Sequence, residues 1–147
     1  MSLATDVERL SQIPLFTHLE PEALRLLAFS AETVVLKKGD RLFEAGDVAD
    51  CAYVVLTGSL ALEYHEFEKT APPNSLIGET ALTVITSRPA SARALEAATL
   101  LKVTQPTFRR VMQEYPDCAV RVRQHLAQNL KSFTRELESL RQRGFVG

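Results

Sequence analysis

The chain has 147 residues, 46% of them hydrophobic, and 17 basic against 18 acidic side chains leave a formal net charge of −1, which allows one domain with a real core and supplies no global field toward nucleic acid. No run approaches the roughly 20 apolar residues of a membrane span, and Met1 to Asp6 lacks the basic start and apolar run of a secretory signal, so a cytoplasmic protein away from the membrane is expected. The only cysteines, Cys51 and Cys118, are too few for a disulfide framework and too far apart for a close-spaced metal or redox pair.

In chain order, Asp6 to Gln12 has the composition of a short helix. Pro21 opens a second, in which Leu24, Leu27 and Ala28 share a face at i, i+3 and i+4. From Thr33 onward Gly39, Gly46 and Gly58 punctuate runs rich in Val, Leu, Tyr and Phe, the signature of short strands and turns. Leu60, Leu62 and Tyr64 alternate with Ala61, Glu63 and His65, and Thr99, Leu101 and Val103 alternate in the same way. Each of these strands is therefore expected to bury one face and wet the other. Strands this closely spaced, with no crossover helices between them, favour an antiparallel β jelly roll over a βαβ fold.

Within the β-region, Leu76-Ile77-Gly78-Glu79-Thr80-Ala81-Leu82 is followed, after the loop Thr83 to Ser87, by Arg88-Pro89-Ala90-Ser91. Glu79 offers acceptor oxygens only, which suits a ribose hydroxyl, whereas Arg88 presents a planar fork of donors that suits two oxygens of one phosphate. Gly78 lets the backbone approach without a Cβ, and Ala81, Ala90 and Ser91 keep the surroundings small. Thr80 to Leu82 can form about one helical turn whose N–H groups face an anion. Taken singly, a Glu after a Gly is most often a solvated helix start and an Arg ten or so residues later a surface charge.

After Gln105 the period turns helical again. Pro106 starts a short helix, and Pro116-Asp117 opens a longer one running to about Arg143. Leu126, Leu130, Phe133, Leu137 and Leu140 follow alternating steps of four and three, the seam of a coiled coil. The stripe has two readings, a homodimer interface and packing of the helix on its own barrel.

The cassette resembles the phosphate-binding cassette of cyclic nucleotide-binding domains, whose pattern is approximately Phe/Ile-Gly-Glu-x-Ala-Leu, a variable loop, then Arg-x-Ala-Ser/Thr. Further segments stand in the family's order: Ile13-Pro14-Leu15-Phe16, Lys37-Lys38-Gly39-Asp40, Gly46-Asp47-Val48-Ala49-Asp50 and Tyr53-Val54-Val55-Leu56-Thr57-Gly58. The resemblance implies a mainly β fold, a cupin-like double-stranded β-helix with N-terminal helices and a long C-terminal helix. It implies one domain over 1–147, with N-terminal helices over 1–30, the jelly roll over 31–105 carrying the cassette at 76–92, and C-terminal helices over 106–143. It assigns the ribose 2′-hydroxyl to Glu79 and the cyclic phosphate to Arg88, with Ile77, Gly78, Thr80, Ala81, Leu82, Pro89, Ala90 and Ser91 around the ligand. On the base side it places Thr134 where bacterial regulators set a helix hydroxyl against adenine, with Asn129 and Arg141 as further candidates; packing of Phe133 at a solvent-facing Thr134 is the alternative.

The sequence also departs from the family. Asn74 stands where the pattern has a Gly, a substitution a left-handed turn tolerates; the hairpin Glu63 to Lys69 has no glycine tip; and Ala92 replaces a larger Val. After the long helix only Gly144-Phe145-Val146-Gly147 remain, so no winged helix-turn-helix is expected from this chain and no sequence-specific DNA reading. The basic residues Arg121, Arg123, Lys131, Arg135, Arg141 and Arg143 read as a solvated helix face. His18, His65 and His125 are dispersed, with no His-x-His pair of a metal-binding barrel, and no nucleophile elbow or nucleoside-triphosphate loop is present. The function expected is therefore that of a non-enzymatic regulatory module without cofactor or metal. It binds a cyclic nucleotide, cAMP ahead of cGMP, and signals through its last helices to an effector protein. A dimerisation module that binds no nucleotide and the sensor fragment of a transcription regulator are the competing readings.

Overall fold

A computed structural model of the chain describes residues 3–128. The seam positions Leu130, Phe133, Leu137 and Leu140, and the base-side candidates Asn129, Thr134 and Arg141, lie outside the described residues. Helix α1 (Leu3–Leu10) starts three residues earlier than the sequence reading placed it. It cannot run on, because Ile13 precedes Pro14 and is extended, at φ −82 and ψ 127, as a residue before proline prefers. Pro14 instead opens a 3₁₀ turn, Pro14–His18, that buries Leu15 and Phe16. Helix α2 (Pro21–Ser30) begins at its proline and buries Ala23, Leu24, Leu27 and Ala28 on one face.

The β-region supplies ten strands, β1 (Glu32–Leu36), β2 (Arg41–Phe43), β3 (Val48–Ala49), β4 (Cys51–Thr57), β5 (Leu60–Glu63), β6 (Glu68–Ala71), β7 (Leu76–Ile77), β8 (Thr86–Ser87), β9 (Ser91–Ala94) and β10 (Ala98–Thr104). They form two four-stranded sheets, ordered β1-β10-β4-β7 and β2-β9-β5-β6, with a β3-β8 ribbon beside them, and every pairing is antiparallel. The fold is the expected antiparallel jelly roll with flanking helices. Helix α3 (Gln105–Glu114) has Pro106 in its first turn and Thr104 as its N-cap, accepting from the Thr107 N–H. The last helix, α4, is described over 116–128. Among the described residues no helix is long and apolar enough to cross a membrane.

Two cores hold this arrangement. Leu36, Val55, Leu60, Ala71, Ile77, Ala94, Ala98 and Leu100 fill the space between the sheets. Ala52, Val54, Leu56, Leu101 and Val103, on the outer face of the first sheet, pack under Phe16, Leu24, Leu27, Phe108, Val111 and Val122 of the helices. Strands β4 and β10 are thus buried on both faces, which corrects the one-face reading of Thr99 to Val103: Leu100 enters one core and Leu101 the other. A register irregularity at Thr99/Leu100 accompanies the change. In β5 the correction falls on Ala61, which is fully buried like Leu60; it lies opposite Arg93, whose stem is long enough to cover so small a neighbour. Tyr64 and His65 lie outside that strand.

The outer face of the second sheet is charged instead, Glu63 lying within 3.5 Å of Arg93 and 4.0 Å of Arg41. Its β5–β6 hairpin closes without glycine. The Tyr64 N–H donates to the Phe67 carbonyl at 2.9 Å, and the two rings stack 4.5 Å apart. Asn74 adopts φ 68, the left-handed turn expected of it.

Candidate functional site

The cassette begins where β7 ends. Gly78 has φ +81 and ψ 38 and caps the 3₁₀ turn Glu79–Leu82, a left-handed conformation that costs a side-chain-bearing residue about 1–2 kcal/mol. Space requires the glycine as well, since a Cβ there would lie 2.5 Å from Arg88 Nη1 and 3.3 Å from the Cys51 carbonyl oxygen. The turn is wedged into the helical side of the molecule. Ala81 and Leu82 are buried, Leu82 joins the cluster of Phe108, Val111 and Val122, and Gln105 Nε2 of α3 donates to the Ala81 carbonyl at 2.9 Å. One detail of the anion-facing turn is corrected: the Ala81 N–H already donates to the Gly78 carbonyl at 3.0 Å.

Arg88 follows β8, which pairs Thr86–Ser87 with Val48–Ala49 inside the segment expected from the sequence to be a loop, Thr83 to Ser87. Its backbone is clamped by the turn at Gly46 and Asp47: the Arg88 N–H donates to the Asp47 carbonyl, and the Arg88 carbonyl accepts from Gly46 N–H, each at 2.8 Å. The side chain turns inward and is 5% exposed, the one buried charged side chain among the described residues. Its guanidinium carbon stands 4.4 Å from the Phe43 ring centroid and 5.5 Å from that of Tyr53, and Nη2 donates to the Cys51 carbonyl at 2.8 Å. Among the described residues no carboxylate approaches it within ion-pair distance. Tyr53 registers the same surroundings. Burial pushes its hydroxyl well above the usual tyrosine range, a side-chain hydrogen bond with Cys51 adds to the shift, and the Arg88 charge opposes it.

Glu79, at the start of the turn, is half-buried and faces the last helix, with its Oε1 3.5 Å from His125 Nε2. His125 Nδ1 stands 3.3 Å from His18 Nε2 of the first 3₁₀ turn. These histidines are dispersed in the sequence, 107 positions apart, and the fold puts their ring centroids 5.2 Å apart. Among the described residues no group of three or more His, Cys, Asp or Glu is arranged to hold a metal ion.

Among the described residues Glu79 and Arg88 border different cavities. Arg88 borders a hollow of about 190 Å³ with Phe43, Tyr64, Ile77, Gly78 and Ala90. Glu79 and His125 border a second, of about 330 Å³, with Ile13, Pro14 and Leu15. Leu62, Lys69 and Leu76 line both, so the hollows adjoin, and together they fall within the roughly 300–1,000 Å³ of small-molecule sites. Of the other cassette residues, Ile77 is buried against the inter-sheet core, Thr80 and Pro89 are exposed, and Ala90 is buried. Ser91 Oγ accepts from the Ala45 N–H at 2.9 Å, a turn contact. Phe43, Tyr53, His18 and His125 are the site residues that sequence reasoning missed. Tyr53 stood inside a recognised segment, but nothing local marked its ring as facing Arg88.

Comparison with known proteins adds a second line of observation. The family model described as the cyclic nucleotide-binding domain matches residues 33–115. A solved cyclic nucleotide-binding-like protein from Brucella abortus is 37% identical, with 74% of this chain and 97% of that one covered and a TM-score of 0.66. The N-terminal domain of a transcriptional regulator from Streptomyces coelicolor is 30% identical over 85% of this chain and 94% of its own, with a TM-score of 0.77. Among curated proteins, the lysophospholipase nte1 of Neurospora crassa is 27% identical over 125 residues, which are 80% of this chain and 8% of that protein. The chain therefore spans less than a tenth of the length of this much longer relative.

Proposed function

Because the chain belongs to the cyclic nucleotide-binding domain family, we propose that it is a non-enzymatic regulatory module that binds a 3′,5′-cyclic nucleotide, cAMP ahead of cGMP, and relays the event through α3 and α4. One observation carries this reading, the burial of Arg88 without a carboxylate partner among the described residues. Burying a cation costs several kcal/mol unless it is compensated. The Phe43 and Tyr53 rings and the Cys51 carbonyl supply part of the compensation, and a bound phosphate supplies the rest. Nη1 lies against Gly78, so an anion seated on the cassette turn meets the fork at its open side.

In this reading Arg88 takes the cyclic phosphate, Glu79 takes the ribose 2′-hydroxyl, and Gly78, Ala81 and Ala90 shape the approach, with Ile77, Thr80, Leu82, Pro89 and Ser91 forming the rest of the cassette. Thr134 is kept as the adenine contact. The route outward runs from Leu82, which packs with Phe108, Val111 and Val122, and from the bond between Gln105 and Ala81. Movement of the turn is thereby converted into repacking of α3 and α4, with a coupling of about 1–3 kcal/mol. The effector is a partner protein, a second copy or a further domain.

A thermal-shift panel of cAMP, cGMP, 5′-AMP and cyclic dinucleotides tests the ligand. Ligand at a hundred times its Kd stabilises the folded state by about 2.7 kcal/mol, and cAMP is expected to raise Tm most. An interaction module that binds no nucleotide, a reading favoured by the protein contacts Glu79 and Arg88 already make, predicts no shift with any of them. Hydrogen exchange of 124–140 tests the relay: protection is expected to change on ligand addition, and unchanged protection contradicts transmission through α4.

A further inference from the structure

Three segments distant in sequence meet at His125. His18 ends the first 3₁₀ turn, His125 comes from α4, and Glu79 opens the cassette turn; the contacts are 3.3 Å between the two imidazoles and 3.5 Å from His125 Nε2 to Glu79 Oε1. The polarity of this chain is set by chemistry. A carboxylate only accepts, so a hydrogen bond across the 3.5 Å contact with Glu79 requires the hydrogen on His125 Nε2; in a neutral ring Nδ1 is then the acceptor, and the donor across the 3.3 Å contact is His18 Nε2. If His125 is protonated, His18 accepts instead, and Nε2–H still points at Glu79. His125 thus presents a donor to Glu79 in both states.

His18 is itself immobilised. Arg121, one helical turn before His125 on α4, donates from Nε and Nη2 to the His18 carbonyl at 3.2 and 3.1 Å. The turn that bears His18 buries Leu15 and Phe16, and the Leu19 N–H closes it on the Phe16 carbonyl at 3.0 Å. His18 lines neither hollow, whereas His125 and Glu79 line the larger one.

We propose that His18 and His125 are positioning residues for ribose recognition: His18 fixes the His125 ring, and His125 holds the Glu79 carboxylate in the orientation that accepts a 2′-hydroxyl. Discrimination between ribo- and 2′-deoxyribonucleotides then depends on a histidine remote from the ligand. A carboxylate has about four acceptor positions on two oxygens, so engagement of Oε1 by His125 is compatible with a ribose contact. The inference rests on the reading above that Glu79 meets the ribose.

The test is a calorimetric comparison of cAMP with 2′-deoxy-cAMP on wild type, Glu79→Gln, His18→Phe and His18→Gln. Wild type is expected to prefer cAMP by about tenfold or more, the scale of a hydrogen bond to a charged group. In His18→Phe, which keeps an aromatic ring but removes its nitrogens, the preference is expected to fall most of the way to unity while affinity for the deoxy analogue stays put. His18→Gln retains a side-chain N–H and is expected to recover much of the preference, which a purely structural role would not produce. If wild type and His18→Phe discriminate equally while Glu79→Gln does not, the relay is wrong and the ribose site stands. If wild type binds neither nucleotide, or binds both equally, the site reading fails and this inference with it.

Discussion

The two ends of the candidate site are built on opposite plans. The proposed phosphate end is made almost wholly by the barrel: Phe43, Cys51, Tyr53, Gly78 and Arg88 come from strands or the turns between them, and the guanidinium is nearly sealed from water. The proposed ribose end is made by three elements that the barrel alone does not hold together, with Glu79, His125 and His18 each partly open to solvent. A charge in a dry, rigid cradle supplies binding energy, because desolvated electrostatics are strong and cost no reorganisation when the ligand arrives. A polar chain that spans a cassette turn, an N-terminal turn and a helix face is proposed to supply selectivity and a mechanical link. In the proposed reading, affinity and signalling are thereby divided between two adjoining hollows.

This division can be broken at several points, and the strongest is Arg88. Its replacement by Ala is expected to cost on the order of 3–5 kcal/mol of cyclic nucleotide binding, the scale of breaking a buried charge pair. That is hundreds-fold or more in affinity, measured by competition against a fluescent cyclic nucleotide; Arg88→Lys keeps the charge, loses the fork and is expected to bind weakly too. Gly78→Ala comes next. Forcing a Cβ into the left-handed position beside Arg88 Nη1 is expected to remove about 1–3 kcal/mol of stability, read as a lower midpoint in urea, together with a loss of ligand affinity.

Phe43→Leu is a milder test of the same end. It removes the ring facing the guanidinium while keeping an apolar side chain, so up to about 2 kcal/mol of desolvated cation–π attraction is lost; calorimetry is expected to show weaker binding of cAMP and of its 2′-deoxy analogue in equal measure. At the ribose end the smallest effect is expected. There His18→Phe leaves phosphate-driven affinity in place and changes mainly the ratio between the two nucleotides, by about tenfold. A His18 variant that weakened both ligands equally would erase the proposed separation.

How much of this was legible in the sequence follows the same boundary. The cassette could be read because its demands are local: a glycine for the left-handed turn at Gly78, an acid immediately after it, and an arginine a short loop later. Pro21 and Pro106 marked helix starts for an equally local reason, and Asn74 took the positive φ its side chain tolerates. What could not be read depends on strands and helices meeting in space. Nothing near Arg88 in the chain announces that Phe43 and Tyr53 will face its guanidinium, and nothing near His125 points to His18. Alternation also misled at Ala61 and Leu100, because it assumes one wet face, whereas the first sheet is covered on both sides and Ala61 lies beside the long Arg93 side chain.

Receipt of the cyclic phosphate by the buried Arg88 guanidinium is open to side-chain NMR of arginine. With the Arg88 Nε–H signal assigned by its loss in Arg88→Lys, titration with cAMP is expected to move that signal along the same saturation curve as the heat of binding. Saturation of the protein by cAMP with the Arg88 signal stationary, or no binding of cAMP at all, would rule out Arg88 as the phosphate ligand.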